Sequence, residues 1–420
     1  YSLDLKGSEY FTIHVRDIKT NEIITDKIEN TSGSILFSLD DRFIFYSKLD
    51  ENHRPKKIFR HEIGKSIKED LLIFEERTPA FTVSIGISAD EKYYFINSSD
   101  HNTSEKYYFK SNESLPKPKI VRKREKGIIY SVSSWGGYFY IHTNKGAEDF
   151  KIERSRDIEA SKWEVFIPAK NETMIGGLTF LKNWIIRSEL NNALDKIFVR
   201  DINSNKEEEL IFTDEEVYDG SISHTQKDRN TDLIYISYST PKTQARTYLY
   251  NLKTKEKKLV KEQVIPTGHD PKNYIVQRIE CNSDDGRKVP LTITRHKDTP
   301  LDGSANLLLY GYGSYGASMS PSFSSTRLSL INRNIIWVTA HIRGGMERGM
   351  KWWKEGKLLN KKNTFNDYIA AAKFLIEKKY TSKGKIIGMG GSAGGLLMGA
   401  VVNKAPDLFL GMIMAVPFVD

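Results

Sequence analysis

The sequence predicts two architectures in one chain: small repeated antiparallel sheets of the β-propeller kind, then a mostly parallel sheet flanked by helices. Three observations carry this reading. Aromatic and β-branched strands recur at steps of 45–50 residues up to about Lys261. Beyond that point apolar strands alternate with helical stretches. A chain of 420 residues also exceeds one ordinary hydrophobic core, so two domains are the default.

The repeat comes first in the chain. Its lead strands are "FIFYS" at Phe43, "YYFIN" at Tyr93, "YFYIH" at Tyr138, "WIIRS" at Trp184 and "LIYIS" at Leu233. Each is followed by a second strand that ends in a turn, as in "IFRHEIG" from Ile58 and "TYLYNLKT" from Thr247. Several strands with a period of about 40–50 residues make a propeller blade. One small sheet cannot bury both faces, so blades stack. A long β-sandwich or a pair of sandwiches is the alternative arrangement for such strands. Five full repeats are visible, and "YFTIHVRDIKTNEII" reads as the tail of a sixth. An open set of blades leaves an unpaired edge, and the chain opens on Tyr1 inside a strand pattern. Sequence ahead of Tyr1 is therefore expected. Residues 1–265 are assigned to the blades, with the first incomplete.

Residues 266–420 change character. "NYIVQRIECNSDDGRKVPLTITRH" reads as a hairpin turning at Asp285-Gly286. "NLLLYGYG" and "IIWVTAHIRGG" are buried strands with glycine-rich exits. "NTFNDYIAAAKFLIEKKY" is a helix with Phe365, Ile369, Ala372 and Ile376 on one face and Asn363 or Thr364 as its cap. "KIIGM" leads into "GGSAGG", a helix follows from Ala393, and "MIMAV" is the next strand. This alternation gives a parallel sheet with helices on its faces.

Ser392 lies at the centre of Gly390-Gly391-Ser392-Ala393-Gly394, a G-x-S-x-G pattern between a strand and a helix. The small neighbours allow a tight turn that lifts the hydroxyl clear of the sheet. The Ala393 N–H, at the helix start, can face a developing oxyanion. A structural serine in a glycine-rich turn is the plainer alternative.

The totals narrow the function. The net charge of +9 comes from lysines scattered through the chain. They form no stripe, so a solvated surface is expected and no nucleic-acid partner. No apolar run approaches the roughly 18 residues of a membrane helix, and the start lacks a signal-peptide core. No membrane partner is expected. The single cysteine, Cys281, rules out an internal disulfide framework and points to the cytoplasm. No cysteine–histidine spacing fits a metal site, so no metal and no cofactor is expected.

Three segments carry a resemblance. "LLLYGYGSYGASMSPSFSSTRLSL", "HIRGGMERGMKWWKEGKLLNKKNTFNDYIAAAKFLI" and "GGSAGGLLMGAVVNKAPDLFLGMIMAVPFVD" resemble the prolyl oligopeptidase family of serine peptidases, nearest its oligopeptidase B group. The resemblance implies a β-propeller beside an α/β-hydrolase domain, here the N-terminal part of it with its parallel sheet cut short. It implies cleavage of short peptides after Arg or Lys, through an acyl-enzyme on Ser392. By the same resemblance the Ala393 N–H and the Tyr312 hydroxyl hold the oxyanion, and Tyr315 lines the first substrate pocket or serves packing. Arg343 and Glu347 belong to the family signature and read as structural charges. The group's acidic residues that help read a second basic substrate residue are replaced here by Ser320 and Ser322, which puts a dibasic preference in doubt.

A serine nucleophile needs a base and an orienting acid. No histidine follows Ser392, and the only later acids are Asp407 and Asp420. Asp407 reads as a turn residue, and Asp420 matches no triad position. His341, at a strand end, reads as a satisfied core histidine. The family's triad Asp and His lie beyond the point matching Asp420. They are expected from the same longer polypeptide or from a separate chain. The other reading is an inactive relic or a peptide-binding propeller protein. In either case these 420 residues alone are expected to be inactive.

Overall fold

The computed structural model describes residues 1–224 and 229–418. The chain divides into two compact units, Tyr1–Pro168 and Ala169–Asp420.

The first unit holds three antiparallel sheets. Six strands make the first: Ser2–Leu3, Phe11–Arg16, Ile23–Phe37, Phe43–Leu49, Pro55–Glu62 and Leu71–Glu75. Residues 82–122 and 130–167 form four-stranded sheets. The strand "YFTIHV", read as the tail of a sixth repeat, pairs with the first part of the long third strand. The 15-residue strand Ile23–Phe37 pairs with Phe11–Arg16 along its first part and with Phe43–Leu49 along its last. Its register shifts between Thr31 and Ile35, around Gly33 at φ 80°. Glycine takes that conformation without strain, so one strand bends and serves both neighbours. Alternate residues of the lead strands form the seams between sheets. Phe45 and Ile58 pack on Tyr94, Ile96 and Phe109, and Tyr93 meets Phe139 edge-on at 5.0 Å.

The second unit begins with two more four-stranded antiparallel sheets, over residues 173–209 and 219–262. Leu181, Ile186, Phe212, Ile234 and Ile236 share one core between them. Each lead strand expected from the repeat is present.

A six-stranded mixed sheet follows. Its strands are β1 (Tyr274–Asn282), β2 (Lys288–His296), β3 (Leu307–Tyr310), β4 (Ile336–Ala340), β5 (Ile386–Gly391) and β6 (Phe409–Ala415). Their spatial order is β1-β2-β4-β3-β5-β6. β1 and β2 form the expected hairpin, turning through Gly286 at φ 80°. β4, β3, β5 and β6 pair in parallel. Four helices cover the sheet: α1 (Ser325–Ile331), α2 (Gly349–Lys354), α3 (Lys362–Glu377) and α4 (Ala393–Lys404). Leu307 and Leu309 point into the core with Ile369, Ala372, Leu397 and Met398. Leu308 points the other way, onto Leu328 and Ile331 of α1. Both faces are therefore apolar, as a parallel sheet requires. At the edge, β6 leaves Leu410 64% and Met414 46% exposed.

One local expectation is corrected. Neither Asn363 nor Thr364 caps α3. The helix begins one residue earlier, at Lys362, behind an N-cap Lys361 that makes no side-chain cap. The Thr364 hydroxyl donates instead to the Arg343 and Gly356 carbonyls, at 2.8 and 3.1 Å.

Candidate active site

The chain leaves β5 and enters α4 through a single residue. Ser392 has φ 51° and ψ −118°, a conformation that strains any residue with a Cβ. Three backbone hydrogen bonds hold it there. Its N–H donates to Ala415 O at 2.9 Å, and its carbonyl accepts from Gly395 at 2.8 Å and Phe418 at 2.9 Å. The side chain is exposed and does not cap the helix.

The flanking glycines are steric requirements. A Cβ on Gly390 would fall inside the Gly394 carbonyl. One on Gly394 would lie 3.0 Å from Gly311 O, and one on Gly395 would strike Pro417 at 2.5 Å. Only hydrogen at these positions lets strand, elbow and helix close up. Ala393 is the first residue of α4, so its N–H has no intrahelical partner. It lies at the positive end of the helix dipole.

Tyr312 comes to the same place from another strand. It follows β3, is half-buried, and its ring lies 3.4 Å from the Cβ position of Gly394. The Tyr312 ring is thus brought against the first turn of α4, which follows Ser392. Tyr315 is 61% exposed at φ 57°. Ser320 is exposed, and the Ser322 carbonyl accepts from Arg327 at 3.0 Å.

The loop between Tyr312 and Phe323 lies along the glycines after β4. Gly316 donates to Gly344 O at 2.9 Å. A Cβ on Gly344, at φ 107°, would overlap the Gly313 carbonyl. Lys361 donates from the far side, to Gly313 O at 2.5 Å and Ser314 Oγ at 2.7 Å. Met319 N–H donates to Glu347 Oε1 at 3.0 Å. Nothing in the sequence pattern singled out Lys361. The one available signal was a lysine pair opening a helix, where cations are unfavourable.

Arg343 and Glu347 are both buried, with different surroundings. Arg343 donates to Asp367 Oδ1 at 2.6 Å and to Asp285 Oδ2 at 2.5 Å. Burial opposes its charge, and the two carboxylates outweigh burial, so its pKa rises. Among the described residues Glu347 has no such partner. Burial pushes its carboxyl up to about 7, against the Met319 hydrogen bond. Among the described residues its Oε2 makes no hydrogen bond. Its backbone carbonyl accepts from Ala193 N–H at 2.8 Å, in the turn joining two strands of the 173–209 sheet.

His341 is fully buried. Its Nε2 pairs with Thr292 Oγ1 at 2.9 Å, while Nδ1 stands 3.8 Å from Glu347 Oε1 and makes no hydrogen bond. Burial, helped by Arg278, holds it neutral, far below the usual histidine range. The expectation of a satisfied histidine is met at one nitrogen only. Among the described residues no hydrogen bond joins it to Ser392. Asp407 is an exposed residue in the short turn Pro406–Leu408, paired with Lys383 at 3.4 Å. Asp420 lies outside the described residues. Among the described residues no helix is long and apolar enough to cross a membrane.

Comparison with known proteins agrees with this geometry. Residues 1–263 match the family model of the prolyl oligopeptidase N-terminal beta-propeller domain, and residues 321–420 match that of the prolyl oligopeptidase family. The chain is 35% identical to dipeptidyl aminopeptidase BI of Pseudoxanthomonas mexicana, covering 100% of this chain and 58% of the relative. It is 36% identical to protease 2 of Moraxella lacunata, covering 99% and 60%. The solved structure of oligopeptidase B from Leishmania major superposes with a TM-score of 0.92 at 32% identity, over 100% of this chain and 60% of that one. The chain therefore spans about three fifths of the length of these relatives. Blades, sheet order, serine elbow and sequence agree: the chain belongs to the prolyl oligopeptidase family, with β-propeller blades and an α/β-hydrolase sheet.

Proposed function

We propose that this chain carries the nucleophile and the oxyanion site of a serine oligopeptidase of the oligopeptidase B type, acting on short peptides. The observation that carries the reading is the Ser392 elbow: an exposed hydroxyl on strained backbone, beside an unpaired helix N–H and the Tyr312 ring. The domain boundary follows the change in sheet type between Glu262 and Tyr274, which supports blades over 1–265 and the hydrolase part over 266–420.

In the proposed reaction a histidine takes the proton of Ser392 Oγ as it attacks the peptide carbonyl. The Ala393 N–H and the Tyr312 hydroxyl receive the negative charge of the tetrahedral intermediate. The amine leaves with the proton, and water hydrolyses the acyl-enzyme. His341 is a poor candidate for that base: it is buried and bonded to Thr292. The triad Asp and His come from outside these residues, in the same polypeptide or in a partner chain. Cleavage after Arg or Lys rests on the sequence resemblance alone. Ser320 and Ser322 supply no charge for a second basic residue. A cytoplasmic site of action rests on the single buried Cys281.

The experiment is hydrolysis of an Arg-containing fluorogenic peptide by the purified 420-residue protein. The expected result is no turnover above buffer. Turnover abolished by Ser392→Ala would show that these residues hold a complete site, and would overturn the placement of the base. The non-catalytic reading, a peptide-binding relic, gains support if the protein from its source cells is also inactive.

A further inference from the structure

We propose that Lys361 is the positioning residue of the loop that carries Tyr312, holding it against the first turn of α3. The proposal rests on the reading of Tyr312 as an oxyanion donor.

Lys361 is in an unfavourable place for a cation. Among the described residues it forms no ion pair, and its partners are two neutral oxygens, Gly313 O at 2.5 Å and Ser314 Oγ at 2.7 Å. Burial pushes its ammonium down to about 8. It is also the N-cap of a 16-residue helix and is followed by Lys362. The helix dipole repels positive charge there. Burial, missing counter-charge and the dipole all work against this lysine as a source of stability. Local rules broken together mark positions kept for function.

The acceptors show which function. Gly313 and Ser314 directly follow Tyr312 in the chain. Gly313, at φ 68°, is wedged between Thr364, Ile342 and the Arg343 carbonyl, so a side chain there has no room. Its carbonyl faces Gly344 on one side and the Lys361 ammonium on the other. Later in the loop, Gly316 and Met319 are fixed by Gly344 O and Glu347. Lys361 therefore fixes the Gly313–Ser314 peptide plane, one residue beyond Tyr312, and through it the ring that lies against the elbow. A charged donor is the strongest single hydrogen-bonding group for that task.

The test measures amide hydrogen exchange and thermal unfolding in the 420-residue protein. Lys361→Met is expected to speed exchange over residues 312–319 about tenfold, while β3 and β5 keep their protection. Its melting midpoint is expected to stay level or rise. Lys361→Arg, which keeps a charged donor, is expected to hold exchange within about threefold of the parent. Unchanged loop exchange in Lys361→Met overturns the proposal. So does a lower midpoint with faster exchange throughout, or equal loosening in both variants. Tyr312→Phe keeps these readings separate. Unimpaired peptidase activity in the complete enzyme carrying it would remove the oxyanion role, without altering loop exchange.

Discussion

Arg343, buried, and Lys361, half-buried, are cations beside the loop after Tyr312, and their surroundings differ completely. Arg343 has Asp367 and Asp285 within 2.6 Å and one hydrogen bond from its own backbone N–H to the same Asp367. Lys361 has a carbonyl and a hydroxyl. Glu347, also buried, repeats the second pattern with one backbone N–H. A matched ion pair tolerates burial because each charge solvates the other. An unmatched one shifts its pKa and weakens the fold. The loop therefore rests on a paired base and is held by two groups without a counter-charge among the described residues.

The largest expected effect follows from the paired side. Arg343→Met leaves Asp367 buried without its partner, so unfolding free energy in urea should fall by about 3–5 kcal/mol. A loss under about 1 kcal/mol would equate the two cations and erase the contrast.

Next is the backbone contact on which both depend. Gly344→Ala drives a Cβ into the Gly313 carbonyl at a φ of 107°. A loss of about 2–4 kcal/mol is expected, from overpacking plus left-handed strain. Urea unfolding measures it, and an unchanged midpoint would mean the loop is not seated there.

The unpaired side gives a pH signature. The Glu347 carboxyl rises from 4.5 in the unfolded chain to about 7 in the fold. The folded state then holds more protons between these values, so stability present below pH 4.5 is lost as pH rises towards 7. Glu347→Gln removes that loss. Its midpoint should exceed the parent's at pH 8, by free energy on the order of a few kcal/mol, and approach it at pH 4.5. Parallel pH profiles would show that Glu347 is not held neutral by burial.

The smallest effect concerns the elbow itself. Ser392→Gly relieves a strained φ and should stabilise by about 1 kcal/mol. Destabilisation would show that the serine side chain supports the fold rather than standing free of it.

Much of this was legible in the sequence, for definable reasons. The lead strands at Phe43, Tyr93, Tyr138, Trp184 and Leu233 show because alternation and turn residues are local. Ser392 shows because only glycines permit its turn, and glycines are visible as letters. The continuity of the strand Ile23–Phe37 through its bend is not legible, since Gly33 looks like any loop glycine. The order β1-β2-β4-β3-β5-β6 depends on pairings between strands far apart in sequence. The α3 cap was misplaced because Thr364 has a stronger use, bonding the Arg343 and Gly356 carbonyls. Lys361 stayed hidden because its meaning lies in Gly313 and Ser314, 47–48 residues away.

The central claim is that Ser392 is a nucleophile whose base lies outside these residues. It is tested most directly on the native protein, isolated from its source cells with an antibody to the blades. That protein is reacted with an organophosphorus serine probe, and the modified residue is located by peptide mass analysis. The account predicts the label on Ser392. A label on another residue, or none on active protein, would contradict it.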